Sequence, residues 1–461
     1  MTDAGHRSHS RRSRLNPTAL IGLALVVLTG AALLLVSPAE PSDRTQGPEE
    51  RPLTAATVGC PEALDDAAAY VASGIPSVSG EVGVASGASS RSVQVNGDEV
   101  TAVNDVPGAL VLSASGEQAP GLLASRFATD ELAALDCPVP LPEQWFTAAG
   151  GAADHNSVVE LVNPDAGPAI ADITVLSRNG TLDAPQLRGV SVPGNDSVQL
   201  DLGQVLPRRG ELALHVVVSR GRLATSVLDV IPEIGRRPAT SDWLPPSGEP
   251  TERSVLLGVP RGRGDRVLAV ANPGADEARV SLEVLTADSA FAPEGVEELR
   301  VPPGGVRTVT LSSVLQDAAQ DGAIGVAVSG TVPVTATLRS VVDGDLSHAV
   351  AVTSSAEPMT ALVPSGAGSV VLADADRVGT VTVTSFAGNG RRLGEETVEV
   401  RPGTGGSVDL PRDAALVRVA PARTAVHAAA LVTDQRAGAA VVPFRELVTS
   451  ALVPDVRPGL P

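Results

Sequence analysis

LVNPDAGPAIADITVLSRNGTLDAPQLRGVSVPGNDSVQLDLGQVL, residues 161–206, recurs at 270–315 as VANPGADEARVSLEVLTADSAFAPEGVEELRVPPGGVRTVTLSSVL, at a constant offset of 109 residues and without a gap. Asn163-Pro164 becomes Asn272-Pro273, Val192-Pro193 becomes Val301-Pro302, and Val205-Leu206 becomes Val314-Leu315. A further shift of 101 residues finds a fainter copy, in which Val280, Leu282 and the Asp288-Ser289 turn map onto Val381, Val383 and Asn389-Gly390. Solenoid repeats run to roughly 20 to 50 residues and bury no core alone. A period near 100 instead matches the size of a self-sufficient domain, so the copies read as domains in tandem.

The second copy shows what each unit is made of. From Ala278 to Leu285, Val280, Leu282 and Val284 alternate with Arg279, Ser281 and Glu283, the period-two pattern of a strand with one buried face. Similar short runs follow at Leu299 to Val301, Val306 to Leu311, Gly325 to Ser329 and Val332 to Val341, separated by Gly, Pro and Asp. About seven strands at this spacing predict an antiparallel β-sandwich of the immunoglobulin type. The Asn-Pro and Asn-Gly steps read as strand ends and turns.

Composition narrows the chemistry. All 34 basic residues of the 461-residue chain are Arg, which excludes a P-loop lysine and Schiff-base chemistry. Only eight residues are aromatic, so cores must be built from Val, Leu, Ile and Ala. The net charge is −19, and four of the Arg lie ahead of Leu15, leaving the remainder more acidic still. Nucleic-acid binding needs the opposite surface.

Arg7, Arg11, Arg12 and Arg14 precede an uncharged run whose core is Thr18 to Val36. Nineteen residues at about 1.5 Å each give roughly 28 Å, close to the hydrocarbon thickness of a bilayer. The Arg flank predicts a cytoplasmic tail (1–17), a transmembrane signal-anchor (18–36) and an exported remainder. A cleaved signal peptide, giving a secreted protein, is the competing reading; Ser37-Pro38-Ala39-Glu40-Pro41 offers no clean A-x-A site. A linker rich in Pro and Glu follows (37–58).

Cys60 and Cys137 are the only cysteines in a chain expected to be exported, and a bridge between them would be worth roughly 4 kcal/mol on the chain-entropy estimate. They bracket a segment that does not align with the repeats and reads as a separate, disulfide-stapled domain (59–140). Within it Leu64 to Val71 and Thr129 to Leu135 read as helical, Arg91 to Val95 and Ala109 to Ala114 as strands. The repeats then occupy 141–247, 248–357 and, in degenerate form, 358–461. Leu452-Val453-Pro454 repeats the joint sequence of Leu362-Val363-Pro364, as if a fourth repeat were to follow.

The Trp145-Phe146 and Gly150-Gly151 opening, the Asn163-Pro164 and Asn272-Pro273 steps, the Val-Pro turns and the closing Val442-Pro443-Phe444-Arg445-Glu446-Leu447 together resemble an actinobacterial family of exported, membrane-anchored proteins, the domain of unknown function 5719. The third copy departs from it with Ala373-Asp374 in place of Asn-Pro. Family genes tend to lie near a membrane glycosyltransferase gene, so the resemblance implies a cell-envelope setting, and it carries over no catalytic residues.

No reaction class is legible. Gly189-Val190-Ser191-Val192-Pro193 fails as a nucleophile elbow and Gly262 to Val267 fails as a dinucleotide fingerprint. Arg263-Gly264-Asp265 reads as a chance loop, and Asp343-Gly344-Asp345 as a turn lacking the other ligands of a calcium loop. His155, His215, His348 and His427 stand far apart without ligand spacing. No catalytic, cofactor or metal site is assigned. The expectation is a non-enzymatic, membrane-tethered β-domain array, structural or protein-binding, in the envelope. The alternatives are a glycan-binding accessory of an envelope glycosyltransferase, with Trp145, Phe146 and Trp243 as the binding surface, and an envelope hydrolase.

Overall fold

Where alternation is strongest, the computed structural model places a strand: along Ala278–Thr286 the side chains of Ala278, Val280, Leu282 and Val284 are buried while Arg279 and Ser281 are exposed. The structure describes residues 17–35 and 49–453, apart from 234 and 236–238. The protein is mainly β, built from several antiparallel sheets, and divides into two compact units: Met1–Arg51 with Leu452–Pro461, and Pro52–Ala451.

In the first unit the helix Pro17–Leu35 carries exposed apolar side chains, among them Ile21, Leu25 and Leu28. Its side chains are described only over 21–32, and among the described residues no helix is long and apolar enough to cross a membrane. The Arg-rich tail and most of the linker lie outside the described residues. The short strands Glu49–Pro52 and Ser450–Val453 pair with each other.

The second unit contains one strand plan four times. Its simplest copy is the segment expected to stand apart: Ala55–Cys60, Ala68–Ser73, Ser79–Ser86, Ser89–Asn96, Thr101–Val103, Leu110–Ser115, Leu122–Ala128 and Ala133–Asp136. Numbered one to eight, these strands make a sheet in the order 1-6-3-4 and a second in the order 5-2-7-8. The three repeats follow the same plan. In each, strand 1 pairs with 6, 6 with 3, 2 with 5 and 7, and 7 with 8. We call the four modules A (55–136), B (143–244), C (251–352) and D (359–443). Strands 1, 7 and 8 are Glu143–Ala152, Ala224–Ile231 and Thr240–Leu244 in B and Met359–Leu362, His427–Asp434 and Gly438–Pro443 in D. Strands 1, 5 and 8 of C are Thr251–Leu257, Gly305–Thr310 and Asp345–Val352. Strands 3 and 6 of B are Ala169–Ser177 and Arg209–Arg220, and strand 5 of D is Gly405–Leu410. In C, strands 6 and 7 are the two halves of the single strand Ala323–Val342.

The N-terminal segment has its own core and the expected Cys60–Cys137 bridge, and it carries the repeats' strand plan, which its sequence does not show. Its two expected helices are absent for a physical reason. Ala-rich Leu64 to Val71 has helical propensity, but Tyr70 and Val71 are needed opposite Ser125 and Ala124 in a sheet; after a turn, Ala133–Asp136 likewise pairs with Leu122–Ala128. The strand order also departs from the immunoglobulin one. The 2–5 and 3–6 pairings are shared, whereas here strand 1 sits beside 6 and strand 7 beside 2. The helix Ser312–Gln320 in C has no counterpart among the elements expected from the sequence.

The modules close on themselves. Strand 1 of A packs on strand 7 of B, strand 1 of B on that of C, strand 1 of C on that of D, and strand 1 of D returns to strand 7 of A. The eighth strands touch in the same cycle, A to B to C to D and back to A. At the first joint a Cβ on Gly59 would stand 2.7 Å from Ala224 Cβ, so glycine permits the close approach. At the last, Leu132 N–H donates to Ala437 O at 2.7 Å, and Ala72, Leu123, Phe127 and Leu132 of A share one hydrophobic core with D. B and C each hold a largely private core.

Candidate functional site

Cys60 and Cys137 are bonded to each other, joining strand 1 of module A to the segment just past strand 8. Trp145, Phe146 and Trp243 do not form a surface. Trp145 stacks on His215 with ring centroids 4.0 Å apart, in a cluster shared with Ala271 and Val306 of module C. Phe146 lies in the core of B, and Trp243 packs on Ala128, Ala133 and Leu135 of A. Their exposures are 6%, 0% and 1%, which corrects the expectation of sugar-stacking faces. In a chain with eight aromatic residues the joints claim the large side chains first.

The repeated Asn residues are likewise structural. Asn163 Nδ2 donates to the carbonyls of Gly167, Val192 and Pro193, and Asn272 Nδ2 to those of Asp276 and Val301. Each satisfies loop carbonyls from a fully buried position, which explains why Asn-Pro and Val-Pro recur together.

What the sequence did not show is a buried ionic junction between B and C. Asp229 on strand 7 of B lies directly opposite Asp242 on strand 8, and like charges so placed repel. His348, on strand 8 of C, relieves this: its Nε2 is 2.9 Å from Asp229 Oδ2 and its Nδ1 3.6 Å from Asp242 Oδ2. Asp229 Oδ1 also accepts from Ser157 Oγ at 2.6 Å and lies 2.7 Å from His155 Nε2. Arg339, opposite His348 in the sheet, is neutralised by a bidentate pair with Glu211 at 2.6 and 3.0 Å, and its Nη1 is 2.7 Å from His155 Nδ1. Since a guanidinium only donates, His155 accepts at Nδ1 and donates from Nε2 to Asp229.

The environment polarises these groups. Burial opposes the charge of Asp229, but the two flanking histidines hold its carboxyl well below the usual range. Burial alone would lower His348; hydrogen bonds and charge from Asp229 and Asp242 prevail and raise it to about 9. Burial pushes Asp242 up to about 6, against the opposing pull of His348. Beside them Asp345 accepts from Ala439 N of module D at 2.7 Å; burial, with Asp242 and Glu131 as like-charged neighbours, raises it to about 8.

Perturbed acids and bases in one place resemble an active site, but His348 and Asp229 have no exposed side-chain surface and Asp242 has 4%. No substrate reaches them in this arrangement. Among the described residues no cluster of His, Cys, Asp and Glu has the arrangement to hold a metal ion. The junction ties B to C, with D attached through Asp345. One trace of it is present in the sequence: Asp229 interrupts an otherwise apolar strand, Val227-Leu228-Asp229-Val230-Ile231.

The family of unknown function DUF5719 matches residues 93–411, from strand 4 of A to just past strand 5 of D, and the chain belongs to that family. No curated protein matches it.

Proposed function

We propose that this member of the DUF5719 family is a non-enzymatic binding or structural scaffold of the cell envelope, its β modules two-sheet sandwiches held outside the membrane by the helix Pro17–Leu35. The observation that carries the reading is the use made of the reactive side chains. His155, Asp229, Asp242 and His348 sit in a sealed junction between modules, where they oppose strand repulsion and have no access to a substrate. The envelope-hydrolase alternative finds no support in that geometry, and the glycan alternative loses its aromatic candidates to the core.

The membrane reading is supported by the Arg flank of an uncharged 19-residue core and by the exposed apolar side chains of the helix, since a helix apolar on all sides needs a nonaqueous surrounding. Protease added to intact, wall-stripped cells should digest the chain beyond Val36 while the N-terminal tail survives. Protection of the modules would overturn the orientation, and a mature N-terminus near Ala39 or Glu40 would overturn the anchor. In-cell crosslinking through surface positions of the modules should then attach a defined envelope protein. Recovery of the chain without any attached protein would overturn the protein-binding role.

A further inference from the structure

Where the end of strand 3 and the start of strand 6 of B meet strand 5 of C, a cleft of about 440 Å³ is lined by Arg178, Arg208, Arg209 and Arg307 together with Ser177 and Glu211. In a chain of net charge −19 this concentration of positive charge is unusual. Glu211 does not neutralise it, because its carboxylate is already held by both terminal nitrogens of Arg339. Among the described residues none of the four arginines makes an ion pair, a condition shared by single arginines elsewhere such as Arg220 and Arg300; what distinguishes the cleft is that four such arginines line one space.

The fourfold plan supplies an internal control. At the 109-residue offset Arg178 corresponds to Ala287 and Arg307 to Val198; the pairing of strands 3 and 6 puts Gln320 and Asp321 of C where Arg208 and Arg209 stand in B. The matching cleft between A and B is lined by Glu62, Ser86, Gly87, Asp196 and Ser197, with no arginine. At the corresponding turn of D, Arg391 is paired with Asp413 at 3.2 Å. The fold therefore does not require these arginines, and four like charges in one groove repel rather than stabilise.

Two details show that they are held in place. Arg307, from C, reaches across the joint and donates from Nη1 to the Arg178 carbonyl of B at 2.7 Å. Arg208 has φ = 63°, a left-handed conformation that costs energy for any residue with a side chain and that glycine would adopt freely. A strained arginine in a turn is retained here beside three others.

We propose that this cleft is a binding site for a phosphate-bearing anion, with the four guanidiniums as its recognition elements. A guanidinium presents a planar fork to an oxyanion, and such charge-assisted pairs are among the strongest a surface offers. A phosphate group brings close to two charges into a small volume, so a diphosphate matches four arginines in a space where four carboxylates would each need a carbon skeleton. The inference goes beyond the scaffold reading and holds whichever side of a membrane the modules occupy.

The test is calorimetric titration of the full chain in detergent with inorganic pyrophosphate, inorganic phosphate and citrate in turn. Pyrophosphate should bind at one site, more tightly than phosphate or citrate, and weaken as salt is raised. Arg208→Gly and Arg307→Ser should each weaken it tenfold or more, while Arg188→Ser, which removes an exposed pair with Asp183, should leave it unchanged. Because Arg208→Gly relieves the backbone, its unfolding temperature should not fall, so lost binding cannot be ascribed to lost structure; Arg178→Ser, an exposed position, serves as a second probe. Absence of binding at millimolar pyrophosphate, indifference to all three cleft variants, or citrate binding as tightly as pyrophosphate would each overturn the assignment. None of these results bears on topology or crosslinking, so the scaffold reading stands or falls separately.

Discussion

At the level of single residues, the junction around Asp229 makes stability depend on pH in an unusual direction. His348 is raised from 6.5 to about 9, so the folded chain keeps a proton that the unfolded chain sheds. Its contribution is full below pH 6.5 and lost as the pH rises through 9. Asp242 and Asp345 are raised from 3.8 to about 6 and about 8; their contributions are full below 3.8 and disappear through those values. Asp229 is lowered, so what it contributes is present above 3.8 and is lost as the pH falls well below that. Together these make the junction's own contribution largest near pH 4, with a decline toward pH 9. Calorimetric unfolding across pH 4 to 9 reads this directly. His348→Ala should cost about 3 to 5 kcal/mol, because it leaves Asp229 and Asp242 opposed in the interior, and should flatten the dependence between 6.5 and 9. A His348→Ala variant whose unfolding temperature follows pH between 6.5 and 9 just as the wild type's does would contradict the assignment. Apart from the isolated Asp229 in its apolar strand, the junction was not legible in the sequence, because the two histidines that meet there are 193 positions apart.

At the level of strands and turns the sequence was far more informative, and the reasons are local. Alternation along Ala278–Thr286 marked the buried face, and the structure buries Val280, Leu282, Val284 and Leu311 while leaving Val309 partly covered. Leu282→Ala should therefore cost roughly 2 to 5 kcal/mol. Glu283, about half exposed and 3.5 Å from Arg253, should tolerate Ala within about 0.5 kcal/mol; equal losses from the two variants in urea unfolding would mean the face is misassigned. Asn272→Ala should cost roughly 1 to 3 kcal/mol, since the buried Val301 carbonyl and the Asp276 carbonyl both lose their donor. Sequence reading failed where local propensity and tertiary demand conflict. The run Ala67-Ala68-Ala69 favours helix, yet Ala69 is paired with Arg126 across a sheet. The aromatic residues failed for a related reason: exposure is set by what packs over a side chain, and Trp145 and Trp243 are covered by other modules.

At the level of the whole molecule, the repeat foretold several domains but not their closure. Module A differs so far in sequence from its sisters that only its pairings show the common plan, and closure depends on A meeting D across more than 300 residues of chain. That contact is made of shared core residues, of Arg418 bonded to Asp98 at 2.6 Å and to Gly74 O at 3.2 Å, and of Arg445 bonded to Asp136 at 2.8 Å. An extended array would lose one module at a time, because domains with separate cores unfold separately. A closed cycle with a core common to its first and last members should respond as a unit. Phe127 decides between the two: it belongs to A, is 5% exposed, and packs in the core that D shares. Phe127→Ala should cost about 3 to 5 kcal/mol. If the cycle is cooperative, amide hydrogen exchange of the full chain should then quicken in the central strands of B and C as well as in A and D, and calorimetry should show one transition at a lower temperature. Exchange that quickens in A and D alone, with a second transition left at the wild-type temperature, would show that the modules are closed in space but independent in stability.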